Sequence, residues 1–317
     1  MSDKDDLSIQ IQSVSASEAG SYAPKETRCM GLIYSNSEWT EISKVRNAIQ
    51  RSYEPFQIYF FTQLAEYMGC RSFWDIGANI GSYSVAMARM SNIERVHAFE
   101  PMPRLHSELE TNVSRNDALG KIVLHQTALS DEDALVEFSV LGDYSGASGV
   151  AATLPHDHDG KTQSMNIQAQ TLNSVVSSGY NPPEGLCCLK IDVEGHEMSV
   201  LVGATDMLRN PCVLQIEVSE QDGKPSSVDE FLADRGYHKF WQIGADRYYA
   251  PEKLCPSSHA LLQIVARALE AMIADLRKLE IPGLNPVAAG ITRRFGFVQI
   301  TLLNPAARWV RRLFRSQ

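Results

Sequence analysis

The sequence predicts an α/β fold: a doubly wound, mostly parallel sheet with helices on both faces. Three observations predict it. From about residue 70, strand-like apolar runs alternate with helix-like runs in the order β-α-β-α-β. The first junction, FWDIGANIGSYSVA over residues 73–86, carries Gly77 and Gly81 where a buried strand turns into a helix. Acidic residues stand at the ends of three of these strands: Asp75, Glu100 and Asp192.

The elements follow in chain order. Residues 41–70 show helical periodicity interrupted near Pro55. Ser72–Ile76 reads as a strand, Gly81–Met90 as a helix, Arg95–Phe99 as a strand, Arg104–Asn116 as a helix and Lys121–Ala128 as a strand. Residues 132–170 break the rhythm. VEFSV and MNIQAQTL look like strands, and the Gly-, Ser- and Asp-rich stretch between them reads as a mobile loop and candidate substrate lid. Alternation resumes with a strand at Gly185–Ile191, a helix at Glu197–Arg209, a strand at Cys212–Val218, a helix at Val228–Arg235 and a late strand at Tyr237–Trp241. A helix at Ala260–Lys278 precedes a basic, apolar end. The expected organisation is a polar N-terminal tail over 1–40, an α/β domain over 41–254, and a helical, basic C-terminal extension over 255–317.

Composition narrows the function. The 317 residues are 44% hydrophobic and 21% charged with a net charge of −9, which argues against bulk nucleic-acid binding. No run of 18 apolar residues occurs, so no transmembrane helix is expected. The start, MSDKDDLSIQIQSVSAS, lacks the basic and apolar regions of a signal peptide. Six cysteines without a CxxC pair read as reduced, mostly buried thiols, and the expected location is cytoplasmic.

The glycine turn decides between cofactors. A dinucleotide fingerprint needs G-x-G-x-x-G, but Asn79 stands at its middle glycine and Ser82 at its last. A phosphate-binding loop needs a Lys that is absent. S-adenosylmethionine (SAM) carries no phosphate and relaxes both demands. Asn79 can hydrogen-bond its methionyl carboxylate or amine, and Asp75 can attract its ammonium. Glu100, 25 residues beyond Asp75, can accept from both ribose hydroxyls. In HQTALSDED, Thr127 and Ala128 through their backbone, or Asp131, can read the adenine amino group.

These stretches, with TLNSVV and LKIDVEGHEMSVLVGA, resemble the FkbM family of SAM-dependent methyltransferases over roughly residues 70–220. The resemblance implies the class I methyltransferase (Rossmann-like) fold and O-methylation of hydroxyls on sugars or natural products. Two departures stand out. Asn173 occupies a position that is often Asp in the family, and QIEVSEQ keeps Glu217 but places Ser219 where the family often has His.

Ligands in a doubly wound sheet sit beyond the carboxyl ends of the strands, which puts Asp192 and Glu194 beside the transferred methyl. An aliphatic hydroxyl needs a base as attack develops. Asp192 and Glu194 are the first candidates and His196 the third; Lys190 reads as a carboxylate's partner. A divalent metal is a less favoured addition, with Asp192 and Glu217 supplying oxygen ligands, or the run His156-Asp157-His158-Asp159. Competing functions are a nicotinamide-dependent oxidoreductase, opposed by Asn79, and a catalytically silent SAM-fold binding protein. Residues 281–317 contain six arginines and no Asp or Glu. In AARWVRRLFRS the apolar residues fall at helical spacing, so this end can pack on the acidic core, support self-association or contact a membrane peripherally. The expected partner is a small-molecule or glycan hydroxyl acceptor, with no nucleic acid.

Overall fold

The computed structural model describes residues 26–29, 32–35, 55–116, 118, 120–141, 149–150, 162–180, 184–218, 227–277, 289–294 and 297–302. The expectations for His156–Asp159, for Ser219 and for the basic end over 306–316 lie outside the described residues, as does most of the candidate lid.

Six expected strands, and one that the sequence reading did not place, form one seven-stranded, mostly parallel sheet. In chain order they are β3 (Cys70–Ile76), β4 (Arg95–Phe99), β5 (Ile122–His125), β10 (Leu186–Ile191), β11 (Cys212–Glu217), β12 (Tyr237–Ile243) and β13 (Asp246–Pro251). Their spatial order is β12-β13-β11-β10-β3-β4-β5, and β13 alone runs antiparallel to its neighbours. The direction of winding reverses between β3 and β10, so a crevice opens above their carboxyl ends.

Alternation along each strand divides the core into two layers. Phe73 of β3, Val96 and Ala98 of β4, and Cys188 of β10 point into one layer. There they meet α1 (Pro55–Met68), α2 (Ser82–Ala88), α3 (Pro103–Arg115) and α7 (Ser258–Arg277). Trp74, Ile76, Phe99, Leu189 and Ile191 point into the other. That layer is covered by α4 (Leu172–Ser177), α5 (Glu197–Gly203) and α6 (Ser227–Ala233). Helix α1 starts at Pro55, whose missing N–H costs nothing in a first turn. It is apolar nearly all round because it lies between the sheet and α7. Phe60 meets Tyr248 edge-on at 4.9 Å between centroids, and Phe61 meets Phe73 at 5.9 Å. The thiols divide with the layers. Cys187 and Cys212 are register partners with sulfurs 2.7 Å apart on one side, while Cys70 and Cys188 lie on the other.

Several boundaries differ from the expectations. The strand expected over Lys121–Ala128 ends at His125. The chain then leaves the large sheet, and β6 (Ala128–Leu129) joins a second sheet of order β6-β9-β7-β8 with β7 (Ala134–Leu141), β8 (Gly149–Val150) and β9 (Thr162–Gln170). The helix expected over Glu197–Arg209 stops at Gly203, and a single 3-10 turn follows at Met207–Arg209. The Asn173 side chain accepts from the Asp206 N–H at 3.0 Å across that break. Asn173 is therefore a tether between α4 and the segment after α5, a task its Oδ1 performs as an Asp oxygen would.

Within the expected polar tail, β1 (Glu26–Cys29) and β2 (Leu32–Ser35) pair as an antiparallel hairpin. The expected C-terminal helix is α7, whose Leu261, Ile264, Ala268 and Leu269 belong to the core beside α1. Beyond it, β14 (Ala289–Arg294) and β15 (Phe297–Leu302) pair antiparallel where a helical extension was expected. No helix among the described residues is long and apolar enough to cross a membrane.

Candidate active site

Two turns build the site at the crevice between β3 and β10. The first follows β3, where the amides of Gly77 and Ala78 both donate to the Phe99 carbonyl. Gly77 has φ +80°, and a β-carbon there would lie 1.9 Å from the Asp192 carbonyl oxygen. No other residue allows the two turns to approach so closely. The Asn112 side chain of α3 donates to the Ile80 carbonyl and fixes the far end of the turn.

The second turn follows β10. Here the Glu197 carboxylate accepts from the backbone N–H groups of Val193 and Gly195, at 3.2 and 3.0 Å. Glu197 thus organises the turn from within and leaves Glu194 facing the crevice. Asn79 and Glu194 are the non-glycine residues with positive φ among those described, at 51° and 55°. Asn tolerates this region, but a Glu there is strained, and such strain concentrates at functional sites. A β-carbon in the left-handed region costs about 1–2 kcal/mol, so Glu194→Gly should be about 1 kcal/mol more stable than Glu194→Ala in urea unfolding. Equal stabilities would show that the turn relaxes and stores no strain.

The cleft between the turns holds about 910 Å³ of space, part of it open to solvent, which suits a small-molecule ligand. Gly77, Asn79, Glu100, Thr127, Ala128, Asp192, Glu194 and His196 all line it, so most of the residues singled out from the sequence converge. Three of the cofactor candidates do not line it. Asp75 is buried behind the first turn, where Ser84 donates to its Oδ2 at 2.5 Å. Leu109 of α3 fills the space a side chain at Gly81 would need. Asp131 also lies away from the cleft, while the Thr127 hydroxyl is spent on the Gln168 carbonyl at 2.8 Å. Residues absent from the sequence reading complete the wall: Tyr83, Met102, Leu105 and Phe138. Phe138 comes from β7 of the second sheet, and nothing local in VEFSV signals that it folds back over the cleft.

Charge in the cleft is predominantly acidic. Both Glu100 oxygens accept backbone bonds at 2.9 Å, from Asn79 N–H and Met102 N–H, which fixes the plane of the carboxylate. Burial nevertheless raises its pKa to about 7. Lys190, buried in β10, donates to Asp192 Oδ2 at 2.8 Å and lies 5.0 Å from the centre of the Tyr83 ring. Burial alone would raise the Asp192 pKa, but Lys190 and a hydrogen bond with Glu217 outweigh it and hold it below its ordinary value. Burial, with Asp192 and Glu197 nearby, raises Glu194 to about 7. Asp192, Glu194 and Glu217 each bring an oxygen within 4.8 Å of the others, so the pairing expected of Asp192 and Glu217 exists and Glu194 joins it.

Residues 75–239 match the model of the methyltransferase FkbM domain, which spans more than half of the chain. Methyltransferase sdnD of Sordaria araneosa is 26% identical over 189 residues, covering 51% of this chain and 72% of that protein. Hexuronic acid methyltransferase AglP of Haloferax volcanii is 31% identical over 161 residues, covering 51% of this chain and 61% of that protein. Among solved structures, an O-methyltransferase from Bacillus cereus in complex with SAH aligns over 81% of this chain and 82% of its own, at 13% identity and a TM-score of 0.33. Sheet order, acidic cleft and family match agree: the chain belongs to the FkbM methyltransferase family.

Proposed function

We propose that the chain is a SAM-dependent O-methyltransferase that methylates a hydroxyl of a glycan or another hydroxylated metabolite. The observation that carries this reading is the acidic cleft at the reversal of the sheet, where Asn79, Glu100, Asp192 and Glu194 meet. Its residues fit the cofactor. Asn79 Oδ1 is buried without a hydrogen-bond partner, and an ammonium group would satisfy such an acceptor. Glu100, its plane fixed by two amides, would hold a ribose diol. Apolar Met102, Leu105 and Phe138 suit the face of a purine. An acidic lining favours the sulfonium and ammonium of SAM over the pyrophosphate of a nicotinamide cofactor.

SAM supplies a methyl group on a sulfonium, already a good leaving group. The protein's task is to align the acceptor and take its proton. Asp192, Glu194 and His196 all line the cleft and are the groups available for that task. Calorimetric titration should show binding of SAM and none of NAD. Incubation with SAM and a panel of hydroxylated acceptors should add the mass of one methyl group to at least one of them. Uronate-bearing glycans lead the panel because AglP is named for hexuronic acid. Binding of NAD in place of SAM would overturn the reading. A divalent cation at Asp192, Glu194 and Glu217 is a secondary feature of this proposal, and undiminished turnover in excess chelator would remove it.

A further inference from the structure

His196 stands at the entry to α5 and lines the cleft, yet its ring is held from outside the cleft. Its Nε2 lies 2.9 Å from Ser130 Oγ, and Ser130 Oγ donates to Asp131 Oδ1 at 2.9 Å. Ser130 is buried and doubly anchored. Its N–H donates to the Gln170 carbonyl at the end of β9. Its own carbonyl oxygen lies 1.9 Å from where a β-carbon on Gly203 of α5 would stand, so only glycine admits this contact. The helix that carries His196 and the turn that carries Ser130 are thereby locked face to face.

Proton accounting then fixes the imidazole. A serine hydroxyl has one proton, and Ser130 gives it to a carboxylate, which only accepts. Toward His196 the same oxygen must accept, so Nε2 carries the ring proton and Nδ1 carries the lone pair. We propose that Asp131 and Ser130 are positioning residues that hold His196 as the Nε2–H tautomer, and that Nδ1 is the base that receives the acceptor's hydroxyl proton. In the transfer the new carbon–oxygen bond forms as the carbon–sulfur bond breaks, with sulfur keeping the electron pair. The hydroxyl proton passes to Nδ1 and from the imidazolium to solvent. The arrangement follows the general logic of a base oriented by a third group.

One feature favours His196 over Asp192. One Asp192 oxygen is committed to Lys190. The other charged groups close to His196 in sequence are Glu194 and Glu197 on its own turn.

This inference rests on the O-methyl-transfer reading for the destination of the proton, but not for the tautomer. Long-range proton–nitrogen spectra of the cofactor-free chain, labelled on histidine and assigned through His196→Gln, should show protonated Nε2 and bare Nδ1. Ser130→Ala should give a mixture of tautomers. A bare Nε2 in the wild type would overturn the proposal. In turnover, His196→Gln keeps a donor for Ser130 but has no Nδ1 lone pair, and kcat should fall about 10²–10⁴-fold with SAM affinity unchanged. Asp131→Ala frees the Ser130 hydroxyl to donate to Nε2 and should also give a mixture of tautomers, a change that a purely structural role would not produce. Near-wild-type kcat in His196→Gln, or an unchanged tautomer in Asp131→Ala, would also overturn it. If the wild type methylates no acceptor, the functional reading fails while the spectra still decide the tautomer.

Discussion

Lys190→Met should destabilise the fold by about 3–5 kcal/mol at about pH 8, because it leaves Asp192 as an uncompensated charge in a mostly buried site. The Lys190 and Asp192 side chains are only 4% and 13% exposed. The sign of the pH dependence follows from Asp192. With Lys190 present its pKa is depressed, so it contributes stability above the unfolded pKa, and this is lost as pH falls through the folded value. Without Lys190, burial is opposed only by the hydrogen bond with Glu217, so the Asp192 pKa rises and the carboxyl is protonated more readily as pH falls. The deficit should therefore shrink between about pH 8 and about pH 5. Urea unfolding of both proteins at the two pH values measures it, and an equal deficit at both would place the damage in packing instead. Adding Asp192→Asn should restore part of the loss, since no bare charge then remains.

Glu100→Ala should weaken SAM binding about ten- to a hundredfold, as expected for a lost charged acceptor worth roughly 1.5–3 kcal/mol. The variant also strands the N–H groups of Asn79 and Met102, which shape the same wall. The wild type carries its own test. Its Glu100 titrates near 7, and a diol is held by the ionised form. Affinity should thus be about tenfold weaker at about pH 6 than at about pH 8. Without ligand the sign reverses. A buried carboxyl with a raised pKa makes the fold lose stability as pH rises from 4.5 to about 7, and Glu100 and Glu194 both act this way. Calorimetry across this range reads both effects. Unchanged affinity in a folded Glu100→Ala variant would remove Glu100 from the site.

The parts of this fold that were legible share one property: their local pattern and their surroundings agree. LCCLKI is apolar because both of its faces are covered, and Gly195 marks the turn that follows. The alternation of strands and helices thus gave a mostly parallel sheet covered on both faces, and acidic strand ends pointed to one crevice. What stayed hidden depends on partners distant in sequence. The sequence reading places no element over DRYYAP, whose first two residues are charged. Yet Asp246 bonds Gln215, Arg247 bonds Asp229, and both lie buried in β13. Among the three acids of DVEGHE, only the folded turn shows that Glu197 points inward and Glu194 into the cleft. His196 was legible as a candidate, but Ser130 lies 66 residues away and no spacing links them.

The two layers of thiols give the molecule a built-in clock. Cys70, Cys187, Cys188 and Cys212 sit beneath helices on β3, β10 and β11, whereas Cys255 is only partly covered. An alkylating reagent reaches the first four only when central strands part from their helices. Under native conditions their labelling counts excursions of the sheet itself, layer by layer. Cys187 and Cys212 report the covering of α5 and α6, and Cys70 and Cys188 that of α1 and α7. Cys255 marks the dead time. Ligand-induced tightening could then be timed on each side of the sheet separately, without adding a probe.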